Sequence, residues 1–450
     1  MRHGDAKVAF VSDNSGTSFA EVNAVVFVVV VATWACLTGR ERCEGRAWTT
    51  STAVLVFAET TALALATLAS MLASTKAFTV ACVVAGGCFL SCTISPTVRK
   101  CDTAFTCKDG IAMYRFTLAM MTVVAILAID FTPFPRRFGK TETYGVSLMD
   151  VGGGSFVFSS SIVSRFARGK QKRHWRASVR KSLKTTILGL ARLVTTTVIG
   201  YHSVESEYGR HWNFFFTLAV IQICADALPI EGGKALPFGL FISFTYQYAL
   251  SVHDLSAWIL QSPDERLHES GTNVLTRFLS MNREGVMSAC GGYFAIYLIA
   301  AYLGTELAKP VLDFSRWLSQ MVVVTCAFWS AAITSHTYVE PTSRRSGNVS
   351  YVLWIVAFNL QVIVFYVCIT RLARNSSGRE KCRIPILARA ISRQQLGVFV
   401  VGNVLTGAVN LAFDTMKADV KTAWGVMTLY VFAISIVALR IDRASSPKYD

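Results

Sequence analysis

The chain has 450 residues, of which 52% are hydrophobic and only 16% are charged. About a quarter of the residues of an ordinary soluble domain are charged, so this composition excludes a soluble protein of this size. The apolar residues fall in blocks of about 17–22, long enough to cross a ~30 Å hydrocarbon core as helices. The pattern predicts an all-α polytopic membrane protein in which residues 1–450 form a single membrane-embedded domain.

The hydrophobic blocks predict about thirteen transmembrane helices. Ser18 and Glu21 have the spacing of a capping box that opens the first span. The predicted spans are residues 20–37, 51–74, 77–95, 111–130, 147–164, 185–201, 213–229, 235–252, 285–304, 318–334, 350–370, 394–413 and 422–440.

The net charge of +16 fits basic cytosolic loops that face anionic lipid, and we expect no nucleic-acid partner. If the N-terminus lies on the lumenal side, the cytosolic loops and the C-terminus carry 28 Lys and Arg, and the opposite side carries 14. The basic blocks 165–184 and 371–393 are separated by six predicted spans and therefore lie on one side. The charges thus predict a lumenal N-terminus and a cytosolic C-terminus.

Five short polar clusters fall on the predicted lumenal side, where they combine acids, bases and aromatic residues. Charges near the hydrocarbon boundary are costly unless they are paired or used. A cavity roofed by these loops is therefore the predicted site. The clusters are residues 14–18, 130–150, 205–213, 282–285 and 336–345.

The second cluster has the most suggestive chemistry. Asp130 ends a predicted helix at the membrane edge, and Lys140 follows ten residues later, beyond a turn with two prolines. A carboxylate shielded from water suits a general base, and a nearby ammonium can orient it or stabilise an oxyanion. Arg136 and Arg137 fit a phosphate. From their spacing alone, the same residues favour a structural role in which the arginines reach lipid headgroups and Asp130 pairs with them.

Other polar positions also have two interpretations. Asp150 fits either a substrate contact or charge stabilisation of a helix N-terminus, and the glycines at 152–154 fit a phosphate cradle or close helix packing. His211 fits a binding role or interfacial anchoring. Asp226 and Glu59, inside predicted spans, fit function or a hydrogen bond to a neighbouring helix. No metal-ligand pattern or phosphate-binding loop is found, and no metal site is predicted.

At these clusters the chain resembles the glucosaminyl-phosphatidylinositol inositol acyltransferases of GPI-anchor biosynthesis, the PIG-W type. The segment 134–150, followed by glycines and Ser-Phe-Val-Phe, is similar to the longest signature of that family. Gly139 and the extra glycine in 152–154 depart from the family pattern. The similar segments are residues 10–21, 134–150, 207–215, 282–293 and 343–354.

The resemblance implies a multi-pass acyltransferase of the endoplasmic reticulum membrane. It implies transfer of a fatty acyl group, palmitoyl being the expected chain, from acyl-CoA to an inositol hydroxyl of glucosaminyl-phosphatidylinositol. Acyl-CoA is then a co-substrate, membrane lipid surrounds the enzyme, and no cofactor is expected. The resemblance also implies that Asp130 and Lys140 are the catalytic pair. The candidate substrate-binding residues are Arg136, Arg137, Glu142, Asp150, Glu207, His211, Asn213, Asn282, Arg283, Arg344 and Arg345.

Within that set, the four residues Arg136, Arg137, Arg344 and Arg345 are candidates for phosphate. The residues Glu207, His211, Asn213 and Asn282 are candidates for reading sugar or inositol hydroxyls.

Two other classes of function compete with an enzyme. A multi-span secondary transporter of a polar or lipid substrate would use acids inside its spans and would show internal repeats. No repeat is seen, and Pro237 is the clear proline inside a predicted span. A non-catalytic membrane scaffold would leave the acids and bases collected on one side unexplained.

Overall fold

A computed structural model describes residues 13–44, 105–169, 175–199, 208–228, 230, 232–261, 273–377 and 384–445. Among these residues the β contacts are two isolated bridges, Gly16 with Val146 and Phe105 with Val311. In chain order, helices α1 to α14 of this part are Phe19–Glu44, Lys108–Ala128, Leu148–Ile162, Trp175–Ile199, Phe214–Ala227, Ala235–Val252, Leu255–Leu260, Val274–Met281, Arg283–Leu307, Phe314–Tyr338, Val349–Ser377, Ile386–Arg393, Gln395–Ala412 and Val420–Ser445.

Eight helices of the described chain are long and apolar enough to cross a membrane, namely α1, α2, α6, α9, α10, α11, α13 and α14. The prediction of an all-α polytopic membrane protein is confirmed. Helices α3 and α5 coincide with the predicted spans 147–164 and 213–229. Helix α4 includes most of the predicted span 185–201 but begins earlier, at Trp175, within the segment predicted as a basic loop. However, α3 has only 15 residues and α5 only 14, too few for a straight crossing at 1.5 Å per residue.

Three short helices, α7, α8 and α12, occupy segments predicted as loops. The predicted spans 51–74 and 77–95 lie outside the described residues.

The start of α1 has half of the predicted capping box. The backbone N–H of Glu21 donates to Ser18 Oγ at 3.2 Å, as the box requires. The Glu21 carboxylate instead accepts hydrogen bonds from the Thr17 hydroxyl and from Arg137. An available guanidinium therefore replaces the reciprocal bond to the Ser18 N–H, since a charge-assisted hydrogen bond is stronger.

The chain groups into two compact units. The first unit comprises Met1–Gly16, Lys140–Lys309 and Val323–Asn359. The second comprises Thr17–Gly139, Pro310–Val322 and Leu360–Asp450. Asp130 consequently belongs to the second unit and Lys140 to the first.

In the first unit, α3 and α6 pack against α9. A Cβ on Gly304 of α9 would lie 2.4 Å from the Ile162 carbonyl oxygen at the end of α3, so only glycine permits this approach. Ser161 Oγ donates to the Tyr297 carbonyl at 2.6 Å across the same contact. Small residues and interhelical hydrogen bonds are the usual means of helix association in a membrane.

In the second unit, α2 packs against α12 and α13, and α14 packs against the same two helices. The Tyr430 hydroxyl of α14 donates to the Val123 carbonyl of α2 at 3.0 Å. Tyr366 of α11 shares hydrogen bonds with Thr117 of α2 and with Thr33 of α1, the latter at 3.4 Å. These two buried tyrosine hydroxyls thus have partners, as burial in an apolar environment demands.

The close packing within the first unit can be tested at Gly292 of α9. A Cβ there would lie 2.1 Å from the Gly347 carbonyl oxygen in the loop between α10 and α11. We expect Gly292→Ala to lower stability by about 1–3 kcal/mol, because the backbone must move to accept the methyl group. Thermal unfolding of the purified protein in detergent measures the change.

Gly407→Ala in α13 is the matched control, since no atom lies within 4 Å of the added Cβ. It should keep or raise the melting temperature, because alanine favours a helix by up to about 1 kcal/mol over glycine. Equal melting temperatures for the Gly292 variant and the native protein would contradict the close packing.

Candidate functional site

The loop 341–348, between α10 and α11, is buried although it is polar. Asn348 caps α11, its Oδ1 accepting from the Tyr351 N–H at 3.0 Å and from the Ser343 N–H at 3.2 Å. Its Nδ2 donates to the Pro341 carbonyl at 2.8 Å. These bonds fold the loop tightly and point Arg344 and Arg345 into the first unit, where each is 5% exposed.

Arg344 pairs with Asp150 in the first turn of α3. Arg344 Nε donates to Asp150 Oδ1 at 2.8 Å, and Asp150 is fully buried. Asp150 Oδ2 also accepts from the hydroxyls of Thr141 and Ser147, both at 2.8 Å. Ser147 caps α3 by accepting from the Asp150 N–H. Asp150 therefore joins a helix N-terminus to a buried guanidinium, so its position satisfies both a structural and an electrostatic requirement.

Arg345 makes the second ion pair. Its Nη2 lies 3.0 Å from Glu284 Oε1 in α9, and its Nη1 donates to the Glu142 carbonyl at 2.9 Å. The Glu142 carboxylate is 3.7 Å away. Burial lowers the pKa of Arg345, while Glu284 and Glu142 oppose that effect by favouring the charged form. The neighbouring carboxylates thus stabilise the charged guanidinium group of Arg345 in the interior.

Together these residues form the buried ion-pair cluster, which we define as Glu142, Asp150, Glu284, Arg344 and Arg345. The fully buried Arg283 lies beside it in sequence, with its guanidinium 4.8 Å from the centre of the Trp258 ring. The five residues of the cluster provide two guanidinium groups and three carboxylates, of which the Glu142 side chain is 40% exposed. Arg344 and Arg345, two of the four arginines predicted to bind phosphate, are engaged in ion pairs with Asp150 and Glu284.

The third and fourth predicted clusters meet beside the buried ion-pair cluster. Asn282 Oδ1 accepts from the His211 N–H at 2.8 Å, and the Gly285 N–H donates to the Tyr208 carbonyl at 3.1 Å. The Tyr208 ring lies 5.8 Å from the Arg344 guanidinium carbon. Segments 208–213 and 282–285 are therefore held together with the arginine loop within the first unit.

The side chains predicted to bind sugar or inositol hydroxyl groups lie in different environments. Asn213 caps α5 by accepting from the Phe215 N–H at 3.1 Å, and its Nδ2 donates to the Gly189 carbonyl at 2.9 Å. Asn282 Nδ2 donates to the Phe278 carbonyl at 2.8 Å. His211 is exposed. Glu207 lies outside the described residues. Asn213 and Asn282 thus have clear structural roles in stabilising helix ends and a turn.

Lys140 opens the stretch of backbone that leads to Asp150. Its carbonyl accepts from Asn14 Nδ2 at 3.2 Å, and the Glu142 N–H donates to the Asn14 carbonyl at 3.0 Å. The first predicted cluster therefore also meets this region through Asn14. The Lys140 side chain is half-buried.

A further network next to the cluster centres on Glu340, which the sequence did not single out as a site residue. Its Oε1 accepts from Ser256 Oγ at 2.7 Å and from the Tyr144 hydroxyl at 2.9 Å. Its Oε2 accepts from Gln247 Nε2 at 2.7 Å, and Gln247 Oε1 accepts from the Val349 N–H at 2.9 Å. This network joins α6, α7 and the start of α11. The sequence signal for Glu340 was its position in the predicted polar cluster 336–345.

The glycines at 152–154 include one clear packing position. The Gly154 N–H donates to the Tyr351 hydroxyl at 3.1 Å, and a Cβ on Gly154 would lie 2.8 Å from that oxygen. Tyr351 in turn donates to the Asp150 carbonyl at 2.9 Å. For Gly154 the packing interpretation is therefore the one the structure supports.

In the second unit, Asp130 lies just beyond α2. Asn410 Nδ2 of α13 donates to Asp130 Oδ2 at 2.8 Å. Arg136 donates to the Phe131 carbonyl at 2.8 Å. Burial lowers the pKa of Arg136 to about 10, and the charge of Asp130 opposes this change. Asn410 was missed from the sequence because it lies within an apolar span with no motif around it.

Arg137 is the exposed member of this turn. It binds the Glu21 carboxylate in a two-pronged arrangement, with Nε 3.0 Å from Oε2 and Nη2 2.8 Å from Oε1. The hydrogen bonds to Glu21 raise its pKa. The predicted phosphate candidates thus differ, since Arg137 is exposed and Arg344 and Arg345 are buried.

Among the residues that the structure describes, no group of three or more His, Cys, Asp or Glu side chains is placed to hold a metal ion.

The fold and the buried ion-pair cluster define a class of multi-pass, all-α membrane proteins. The profile of the GWT1 family matches residues 3–441, and the chain therefore belongs to the GWT1 family. It is similar to the phosphatidylinositol-glycan biosynthesis class W protein of Dictyostelium discoideum, with 33% identity over 382 residues and 74% of each chain covered. It is also similar to GPI-anchored wall transfer protein 1 of Schizosaccharomyces pombe, with 35% identity over 338 residues, 73% of this chain and 71% of that one. The family resemblance drawn from the motifs is confirmed.

The buried ion pair predicts a stability effect that surface pairs do not show. We expect Asp150→Asn to lower the unfolding free energy by about 3–5 kcal/mol, because it leaves the Arg344 charge buried without its counter-ion. The double variant Asp150→Leu/Arg344→Met should recover part of this loss, because no charge of the pair remains buried. Thermal unfolding in detergent measures both.

Glu306→Gln is the control, because Glu306 pairs with the exposed Lys309 at 2.7 Å one turn along α9. A surface pair of this kind contributes less than about 1 kcal/mol. If Asp150→Asn and Glu306→Gln lowered the melting temperature equally, the buried pair would not have the stabilising role assigned to it.

Proposed function

We propose that this protein is an enzyme of GPI-anchor biosynthesis in the endoplasmic reticulum membrane. In this proposal it transfers a fatty acyl group, palmitoyl being the expected chain, from acyl-CoA to an inositol hydroxyl of glucosaminyl-phosphatidylinositol. The observation that carries the proposal is membership of the GWT1 family over residues 3–441. The name of the D. discoideum relative, which refers to phosphatidylinositol-glycan biosynthesis, supports it.

The reaction is an ester synthesis from a thioester. The inositol hydroxyl oxygen attacks the thioester carbonyl carbon, so that a C–O bond forms and the C–S bond breaks. The hydroxyl proton passes to a base and then to the departing sulfur, giving the acylated lipid and free CoA. Such a site needs a base, donors for the oxyanion and exclusion of water that would hydrolyse the thioester.

We assign the base, or the residue that orients it, to Asp130, and we assign Lys140 to the hydroxyl or the oxyanion. The local environment of Asp130 supports its part. It lies at the end of α2, it accepts a hydrogen bond from the neutral amide of Asn410, and it lies in the field of the cationic Arg136. A carboxylate held in this way is oriented, as a base requires.

Lys140 is supported by the rigidity of its backbone. The segment from Lys140 to Asp150 is anchored by Asn14 at one end and by the buried ion-pair cluster at the other. An ammonium on an anchored, half-buried backbone loses less conformational entropy when it stabilises a transition state. The cluster itself then acts by positioning this segment, and we assign phosphate recognition to Arg136 and Arg137.

The proposal predicts the loss of acyl transfer in two variants. We expect Asp130→Asn and Lys140→Met each to reduce the rate at least about 100-fold, since positioned acid–base groups contribute about 10²–10⁴-fold. The assay uses purified protein, labelled acyl-CoA and glucosaminyl-phosphatidylinositol, and it measures labelled lipid.

The matched controls are Asp442→Asn and Lys309→Met, which remove the same groups from the surface pairs with Arg393 and Glu306. Both should retain the native rate. A folded Asp130→Asn protein that acylates at the full rate would overturn the assignment of the base. A folded native protein that forms no labelled lipid would overturn the proposed function.

A further inference from the structure

Asn410 is a polar residue near the end of the apolar helix α13 that contacts a candidate catalytic group. Its Nδ2 lies 2.8 Å from Asp130 Oδ2, and both side chains are half-buried. An amide within an apolar helix is costly unless it is hydrogen-bonded. The contact with Asp130 satisfies this requirement, and it joins two positions that are 280 residues apart in the chain.

The orientation of the Asn410 side-chain amide is determined by its other neighbours. Thr415 Oγ1 donates to Asn410 Oδ1 at 3.4 Å, so the oxygen end faces the hydroxyl and the NH2 end faces the carboxylate. In addition, Thr132 Oγ1 donates to the Met416 carbonyl at 2.7 Å. The loop after α13 and the turn after α2 are therefore tied together next to the Asn410–Asp130 contact.

The charged residues around this contact act on Asp130 differently from the neutral amide of Asn410. Arg136 interacts electrostatically with Asp130 while donating to the Phe131 carbonyl. In the loop after α13, Asp414 and Lys417 pair with each other at 3.1 Å, and Asp419 is exposed. A neutral donor orients a carboxylate and stabilises its charged form less than a directly bound cation would, so it preserves more of its basicity.

We propose that Asn410 is a positioning residue that holds the Asp130 carboxylate in the orientation needed to accept the inositol hydroxyl proton. This inference rests on the proposed function and adds a residue from the C-terminal part of the chain to its machinery. Asn410 acts through Asp130 and need not touch either substrate.

The test is the pH dependence of acyl transfer in Asn410→Ala and Asn410→Asp. We expect kcat near neutral pH to fall about 10-fold or more, with little change in KM for acyl-CoA. Loss of a donor to the charged carboxylate should move the acid limb of the kcat profile upward by on the order of one pH unit in Asn410→Ala. In Asn410→Asp the limb should move further, because a like charge adjoins Asp130.

Asn403→Ala is the matched control on the same helix. Asn403 lies two turns before Asn410, and its Nδ2 donates to the Phe399 carbonyl of its own helix at 2.7 Å. This variant removes an asparagine of the same kind from α13 without touching Asp130. It should keep the native rate and the native acid limb.

A second measurement does not depend on activity. A hydrophobic carbodiimide labels protonated carboxyl groups, and mass spectrometry then gives the labelled fraction of Asp130 at each pH. The midpoint of this labelling should move to higher pH in the order native, Asn410→Ala, Asn410→Asp.

The outcomes separate the inference from the proposed function. If the native protein transfers acyl groups but neither the acid limb nor the labelling midpoint moves in the Asn410 variants, the positioning role is wrong. A lowered melting temperature alone would likewise assign Asn410 to structure and overturn the inference. If the native protein forms no labelled lipid while the midpoint still moves, the proposed function is wrong and the contact with Asp130 is real.

Discussion

Arg344 and Asp150 meet at 2.8 Å with both side chains almost wholly buried, and the polar end of the first unit depends on this ion pair. Moving each charge out of water costs several kcal/mol, so the pair is stable only if further hydrogen bonds satisfy the remaining lone pairs. Thr141 and Ser147 supply them to Asp150. The consequence is that the start of α3, the segment before it and the loop 341–348 cannot move independently.

The second ion pair extends this constraint to α9. Arg345 bridges Glu284 and the backbone of Glu142, so residues from three distant parts of the chain form one network. Both guanidinium groups of this network are engaged by buried carboxylates. The network has a structural role. It holds in one geometry the short loops that face the lumen in the proposed topology. Glu340 does the same for α6, α7 and α11 with uncharged partners.

The two aspartates of the predicted site illustrate how partners decide the role of a carboxylate. Asp150 is fully buried, and its oxygens accept from a guanidinium and two hydroxyls that join three segments of the chain. Asp130 is half-buried, and the neutral amide of Asn410 donates to it and orients it. Both residues lie close together in the sequence, in the same motif, and only their partners distinguish a structural carboxylate from a candidate base.

Hydrophobic blocks by themselves determined the all-α polytopic architecture, because a helix of about twenty apolar residues is the stable way for a chain to cross lipid. Local motifs determined the cap at Ser18 and the clustering of polar segments, since these depend on near neighbours. The tertiary structure alone decided that Arg344 and Arg345 bind carboxylates, that α3 is short and that α7, α8 and α12 are helical. It also decided the contact of Asn410 with Asp130. Pairings between residues that are hundreds of positions apart depend on how the helices pack. No local sequence pattern predicts which buried charge pairs with which partner.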